Sequence, residues 1–151
     1  EAMAAYYAAV SLAVAAAGQL FTGYMRDRYG QFWPFLIAAS GVALSALCLV
    51  LFWHSLTGLF IFGTALTTMA WAVSTLLPGM INEVAGPEEK NRMVGLGHMV
   101  WSTAMVSGSL VGGVLLEIDP AVPFLVGVGL ATIGTVCGWR LCLRLQPVQI
   151  R

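Results

Sequence analysis

The sequence predicts an all-α membrane protein, a bundle of five transmembrane helices. Hydrophobic residues fill 59% of its 151 positions and charged residues only 9%, whereas a soluble domain carries about 25% charged residues. A bilayer core about 30 Å thick requires roughly 20 apolar residues in a helix. Backbone polar groups in lipid must bond internally, so such stretches are helices. Five stretches reach that length, at approximately 2–24, 32–53, 56–81, 93–116 and 122–143.

The basic residues all fall on one side of the predicted membrane. They lie in the first loop, in the third loop and toward the C-terminal end, and the second and fourth loops carry none. They are Arg26, Arg28, Lys90, Arg92, Arg140, Arg144 and Arg151. By the positive-inside rule this side is cytoplasmic. We therefore expect a multi-pass protein of the cell (plasma or inner) membrane with its N-terminus outside and its C-terminus in the cytoplasm.

Composition excludes several classes of function. The net charge is zero, which argues against a nucleic-acid partner, because phosphate binding requires an excess of Lys and Arg. The cysteines Cys48, Cys137 and Cys142 lie in apolar stretches without the spacing of metal ligands. No H-E-x-x-H motif, paired carboxylates or usable Ser/His pair occurs. We therefore expect no enzyme, no metal site and no cofactor.

A short polar sequence follows the first predicted helix, where residues 23–30 read GYMRDRYG. Gly23 would let a neighbouring helix approach closely. Asp27 can interact with a helix N-terminus, whose partial positive charge favours a carboxylate. Arg28 can pair with acidic groups or anionic headgroups, and Gly30 allows a tight reversal of the chain.

This pattern resembles the loop signature G-x-x-x-D-R-x-G-R-R of the major facilitator superfamily, with Gln31 and Phe32 in place of the final basic pair. The resemblance implies a partial major facilitator fold, because a typical member has twelve helices. The chain also enters an apolar segment directly from Glu1, without the basic region of a signal peptide. We expect a fragment of a longer transporter that packs against its remaining helices. Helices eight to twelve are favoured over helices two to six.

The fourth predicted helix carries a second resemblance to the family. Residues 108–113 read GSLVGG and are similar to its G-P-x-x-G-G signature, with Ser109 in place of proline. Small residues recur here every four positions, which favours close helix packing. The predicted helix-packing motif comprises Ala104, Gly108, Gly112 and Gly113.

The third predicted helix occupies a position that, by resemblance, lines the central cavity of the transporter. Its polar and aromatic residues lie at spacings of three, four and seven, on one helix face. The candidates are Thr64, Thr67, Trp71, Ser74, Thr75 and Pro78, with Trp101 added from the fourth helix. In the alternative interpretation, the Ser and Thr hydroxyls bond to carbonyls of their own helix. His98 lies six residues beyond Arg92, near the cytoplasmic interface.

The resemblance implies a secondary active or facilitative transporter of small solutes that works by alternating access. Its partners would be a small-molecule solute, the lipid bilayer and optionally a coupling proton or ion. No Asp, Glu, Lys or Arg lies centrally in any predicted helix. Since such groups usually mark proton relays, a coupling carboxylate would lie outside this sequence. A non-transport sensor or scaffold with the same fold is the alternative.

Overall fold

The structure, a computed structural model, describes residues 2–149. Each of its five helices is long enough and apolar enough to cross a membrane, so the chain is an all-α membrane protein. Arg151, one of the residues used to predict orientation, lies outside the described residues. The helices are α1 (Ala2–Tyr29), α2 (Phe32–Phe52), α3 (Leu56–Val84), α4 (Lys90–Ile118) and α5 (Val122–Gln149).

Four of the helices extend beyond the predicted apolar stretches. The helix α1 continues from residue 24 to Tyr29, α3 from 81 to Val84 and α5 from 143 to Gln149, while α4 begins at Lys90 and ends at Ile118. Hydrophobicity marks the part of a helix that lies in lipid, whereas polar residues continue the same backbone hydrogen bonding into the interface. The residues of the signature therefore belong mostly to α1 rather than to a loop.

Local chemistry explains where the helices begin and end. Gly30 has φ +76°, a left-handed conformation that favours glycine, and it ends α1. At the start of α3 the Ser55 hydroxyl accepts a hydrogen bond from the Gly58 backbone N–H at 3.2 Å, as an N-cap does. Pro87 lies in the turn between α3 and α4. The Asp119 carboxylate accepts the Ala121 N–H at 2.7 Å in the turn before α5.

The central helix of the bundle is α3, which packs against both α1 and α2, while α2 also packs against α5. Glycines lie at these crossings. A Cβ added at Gly18 of α1 would lie 2.5 Å from Thr68 Cγ2, and one added at Gly41 of α2 would lie 2.8 Å from Met69 Cγ. Helices in lipid lack a hydrophobic drive to associate, so close backbone approach supplies the contact.

The core lies where α2 meets α3. Phe35 and Ala39 of α2 pack there with Leu76 and Met80 of α3, and the side chain of Leu76 is fully buried. Together these side chains fix how α2 crosses α3.

The helix α4 lies at the edge of the bundle. It contacts only α3 and α5, and none of its residues is buried within the described part of the chain. The light packing of α4 on α3 leaves space between the two helices, and the candidate site lies there.

Candidate functional site

A cavity of about 160 Å³ lies between α3 and α4, and we call it the α3–α4 cavity. Four residues that the sequence predicted as solute contacts meet in it: Trp71, Ser74 and Pro78 from α3, and Trp101 from α4. Among the described residues, those that line the cavity include no Asp, Glu, Lys or Arg. The full lining is Trp71, Ser74, Leu77, Pro78, Ile81, Val94, Gly97, His98 and Trp101.

The α3 wall combines an aromatic ring with hydrogen-bond acceptors. The Ser74 hydroxyl donates to the Trp71 carbonyl at 3.0 Å, which leaves the lone pairs of that hydroxyl oxygen as acceptors. Pro78 has no N–H, so the carbonyl four residues earlier, that of Ser74, loses its helical partner. Ser74 and Pro78 both line the cavity, so this break in the helical hydrogen bonding lies in the α3 wall of the cavity.

The α4 wall consists of Val94, Gly97, His98 and Trp101. A Cβ added at Gly97 would lie 3.4 Å from Ile81 Cδ1. The glycine therefore allows α4 to lie close to α3, one turn before Trp101. Sequence reasoning placed His98 at the membrane interface and did not select Val94 or Gly97. Residues three, four and seven positions after Val94, up to Trp101, lie on one helix face. That spacing could have identified these residues from the sequence.

The other predicted solute contacts of α3 do not line this cavity. The hydroxyls of Thr64 and Ser11 of α1 are 2.9 Å apart, which forms a hydrogen bond across the α1–α3 interface. Thr67 donates to the Gly63 carbonyl at 2.9 Å and lines a different cavity, toward the N-terminal end of α3. Thr75 donates to the Trp71 carbonyl at 2.9 Å. The hydroxyls of Thr67, Ser74 and Thr75 thus bond to carbonyls of their own helix, as the alternative interpretation predicts.

Another cavity, of about 270 Å³, lies among α2, α3 and α5 with Trp101 in its wall, and we call it the α2–α5 cavity. It shares Trp101 and Leu77 with the α3–α4 cavity, so these two side chains separate the two spaces. The Thr135 hydroxyl in its wall donates to the Ala131 carbonyl at 2.8 Å. The remaining lining is apolar and comprises Phe35, Ala39, Val42, Ala70, Val73, Ala131 and Gly134.

The signature residues lie at the C-terminal end of α1. A Cβ added at Gly23 would meet no atom within 4 Å. The Asp27 side chain is 74% exposed, with its Oδ1 atom 3.5 Å from Arg26 Nε. Arg28 donates to the Tyr24 hydroxyl at 2.8 Å, one turn earlier. Apart from Gly30 in the turn, these residues therefore face solvent or their own helix in the described part of the chain.

A polar cluster next to the signature joins α1, the turn between α1 and α2, and α3, and we call it the Gly79 cluster (Arg26, Gln31, Gly79 and Glu83). Gln31 Nε2 donates to Glu83 Oε1 at 2.9 Å. A Cβ added at Gly79 would lie 2.8 Å from Gln31 Nε2 and 3.2 Å from Arg26 Nη1, so glycine makes room for both side chains. Gln31 Oε1 is buried without a hydrogen-bond partner among the described residues.

The predicted helix-packing motif of α4 has no neighbour in the described structure. Added Cβ atoms at Gly108, Gly112 and Gly113 would meet nothing within 4 Å, and Ala104 is exposed. The close helix contacts observed here use Gly18 and Gly41 instead. The role of the motif in packing therefore stays a prediction.

Comparison with known proteins identifies the family. The family model described as Major Facilitator Superfamily matches residues 1–150, which is almost the whole chain. No curated protein and no solved structure matched. Members of this family are transporters of small solutes in lipid bilayers, not enzymes. With its five membrane-spanning helices and this match, the chain belongs to the major facilitator superfamily.

Proposed function

We propose that the chain forms part of a secondary active or facilitative transporter that moves a small solute across the cell membrane by alternating access. The observation that carries the proposal is the α3–α4 cavity, in which Trp71, Ser74, Pro78 and Trp101 meet. Trp71 and Trp101 remain 42% and 39% exposed, so both rings have surface left for a solute. Aromatic walls with a few placed polar groups are typical of small-molecule sites.

The contact between α4 and α3 is where we place the motion of the transport cycle. Alternating access requires one group of helices to rock against another around a central site. Because α4 and α3 form the two walls of the cavity, a change in the tilt of α4 against α3 would open or close it. We propose that the stripe of Ala104, Gly108, Gly112 and Gly113 packs against remaining helices of the transporter, with the present chain as helices eight to twelve.

We propose an orientation with the N-terminus outside and the C-terminus in the cytoplasm, supported by the one-sided distribution of Lys and Arg. In a background without native cysteines, Asp119→Cys should react with an impermeant thiol reagent in intact cells. Lys90→Cys should react only after permeabilisation. The reverse pattern would show that the protein has the opposite topology.

A second cysteine experiment tests the transport site. In the same background, Ser74→Cys should react with a small charged thiol reagent, because the cavity admits water. The matched control is Met69→Cys, since Met69 packs at the α2–α3 crossing opposite Gly41 and should stay unreactive. Proteoliposomes that contain the full-length transporter should take up at least one member of a panel of labelled solutes. Modification of Ser74→Cys in that protein should abolish the uptake.

Two results would contradict this proposal. Equal inertness of Ser74→Cys and Met69→Cys would show that α3 is packed dry at this level. A reactive Ser74→Cys without protein-dependent uptake of any solute would favour the sensor or scaffold interpretation.

A further inference from the structure

The lining of the α3–α4 cavity identifies the chemical class of its ligand; this inference rests on the proposed function. We infer that the cavity binds an uncharged solute of about one aromatic ring with an N–H or O–H donor, and that Trp101 sets its size limit. A cavity of roughly 150 Å³ is large enough to hold benzene. The cavity of about 160 Å³ therefore matches one ring with a short substituent.

The walls select a flat solute. Trp71 and Trp101 come from different helices and both line the cavity, so a ring between them contacts aromatic surface from α3 and from α4. Aromatic pairs prefer offset-stacked or edge-to-face arrangements, and either arrangement suits a single planar ring. Leu77 and Ile81 add apolar surface to the same space.

The polar groups of α3 select a hydrogen-bond donor and disfavour an anion. The free Ser74 carbonyl is one acceptor. The Ser74 hydroxyl already donates its hydrogen to the Trp71 carbonyl, so the hydroxyl oxygen is a second acceptor. Carbonyl oxygens and the faces of indole rings are both electronegative. A carboxylate would therefore meet repulsion at the α3 wall, where the described lining has no Lys or Arg, and it would depend on His98 of α4 or on an indole N–H as its donor.

The same lining disfavours a permanent cation. Indole faces attract cations, but the described lining contains no Asp or Glu to pair with one. A charge brought to membrane depth without a partner loses its hydration. An uncharged donor satisfies the Ser74 acceptors without that loss.

Trp101 limits the size of the ligand because it lies in the wall between the α3–α4 cavity and the apolar α2–α5 cavity. Truncation of its side chain would remove part of the wall that the two cavities share. A solute with a second ring, which the α3–α4 cavity alone is too small to hold, could then place that ring among Phe35, Val42 and Val73.

The experiment measures binding to the intact protein in micelles by equilibrium dialysis, with protein-free micelles to subtract partitioning. Its probes are radiolabelled nicotinamide, nicotinate, 1-methylnicotinamide and N-benzylnicotinamide, which vary charge and size on one ring. We expect nicotinamide to bind at least tenfold more tightly than each of the other three. Trp101→Ala should weaken nicotinamide binding at least fivefold and strengthen that of N-benzylnicotinamide, so that their order reverses.

The matched control is Trp139→Ala, because Trp139 is 52% exposed on α5 and lines neither cavity. It should leave all four affinities unchanged. Tighter binding of nicotinate or 1-methylnicotinamide than of nicotinamide would overturn the inference, as would equal effects of Trp101→Ala and Trp139→Ala. Because the assay does not depend on transport, the ligand inference and the proposed transport function can be contradicted independently of each other. Selective binding without uptake of any solute contradicts only transport, whereas uptake with the opposite charge preference contradicts only the inference.

Discussion

Replacement of Leu76 by alanine is expected to lower the free energy of unfolding by about 2 kcal/mol, more than other leucine truncations in the described helices. Leu76 is fully buried among Phe35, Ala39 and Met80. In soluble proteins a buried Leu→Ala change costs about 2–5 kcal/mol, partly through transfer to water and partly through the cavity left behind. In a bilayer the transfer part is small because lipid is also apolar, so the lower end of that range applies.

The measurement is denaturant unfolding of the protein in micelles, followed by helical circular dichroism. Leu110→Ala is the matched control, because Leu110 is 69% exposed on α4 and the same atoms are removed from a helix. Its effect should stay within about 0.5 kcal/mol, as for surface substitutions generally. A loss at Leu110 equal to that at Leu76 would show that the α2–α3 core does not determine stability.

The second large effect is expected from Gly138→Ala, with a loss of about 1–2 kcal/mol. A Cβ added at Gly138 of α5 would overlap Phe35 Cε1 and lie 2.6 Å from Phe35 Cζ. The ring of Phe35 is buried and packs with Leu76 and Met80 in the core, so a shift of the ring would disturb that packing. Overpacking of this kind costs about 1–3 kcal/mol, of which the better helix propensity of alanine recovers up to about 1 kcal/mol.

Gly129→Ala on the same helix is the control for this prediction. An added Cβ there meets nothing within 4 Å, so only the helix propensity changes, and stability should rise or stay the same. Opposite signs for the two variants are expected in the same unfolding assay. The double variant Phe35→Leu with Gly138→Ala should lose less than the two single losses together, because residues in contact are not additive. Simple additivity would mean that α5 does not contact Phe35.

The signature shows what a linear pattern leaves undecided. From the sequence, Asp27 can interact with a helix N-terminus, and that role stays a prediction. In the structure Arg26 reaches the Gly79 cluster, whereas Asp27 points into solvent. The reason is that α1 continues as a helix to Tyr29. Adjacent residues of a helix point about 100° apart, so only one of the two can face α3.

The polar residues of α3 also have different surroundings in the structure, although the sequence places them on one face. Period alone placed Thr64, Thr67, Trp71, Ser74 and Pro78 on one face, and that face is wide enough to meet several neighbours. The neighbours differ along the helix. The Ser11 hydroxyl of α1 bonds that of Thr64, while α4 shares a cavity with the part of α3 that holds Ser74. Which hydroxyl meets a cavity therefore depends on where α4 lies.

The class of the protein, the number of its helices and its family can all be predicted from the amino-acid sequence alone. Lipid requires long apolar helices with internally bonded backbones, and those requirements are visible as composition and run length. Only the tertiary structure decided which side chains share a space. The α3–α4 cavity, its wall of Trp101 and Leu77, and the Gly79 cluster each join residues of different helices. The proximity of these residues depends on how the helices cross and on the glycines that allow the crossings. The pattern of hydrophobic residues specifies neither.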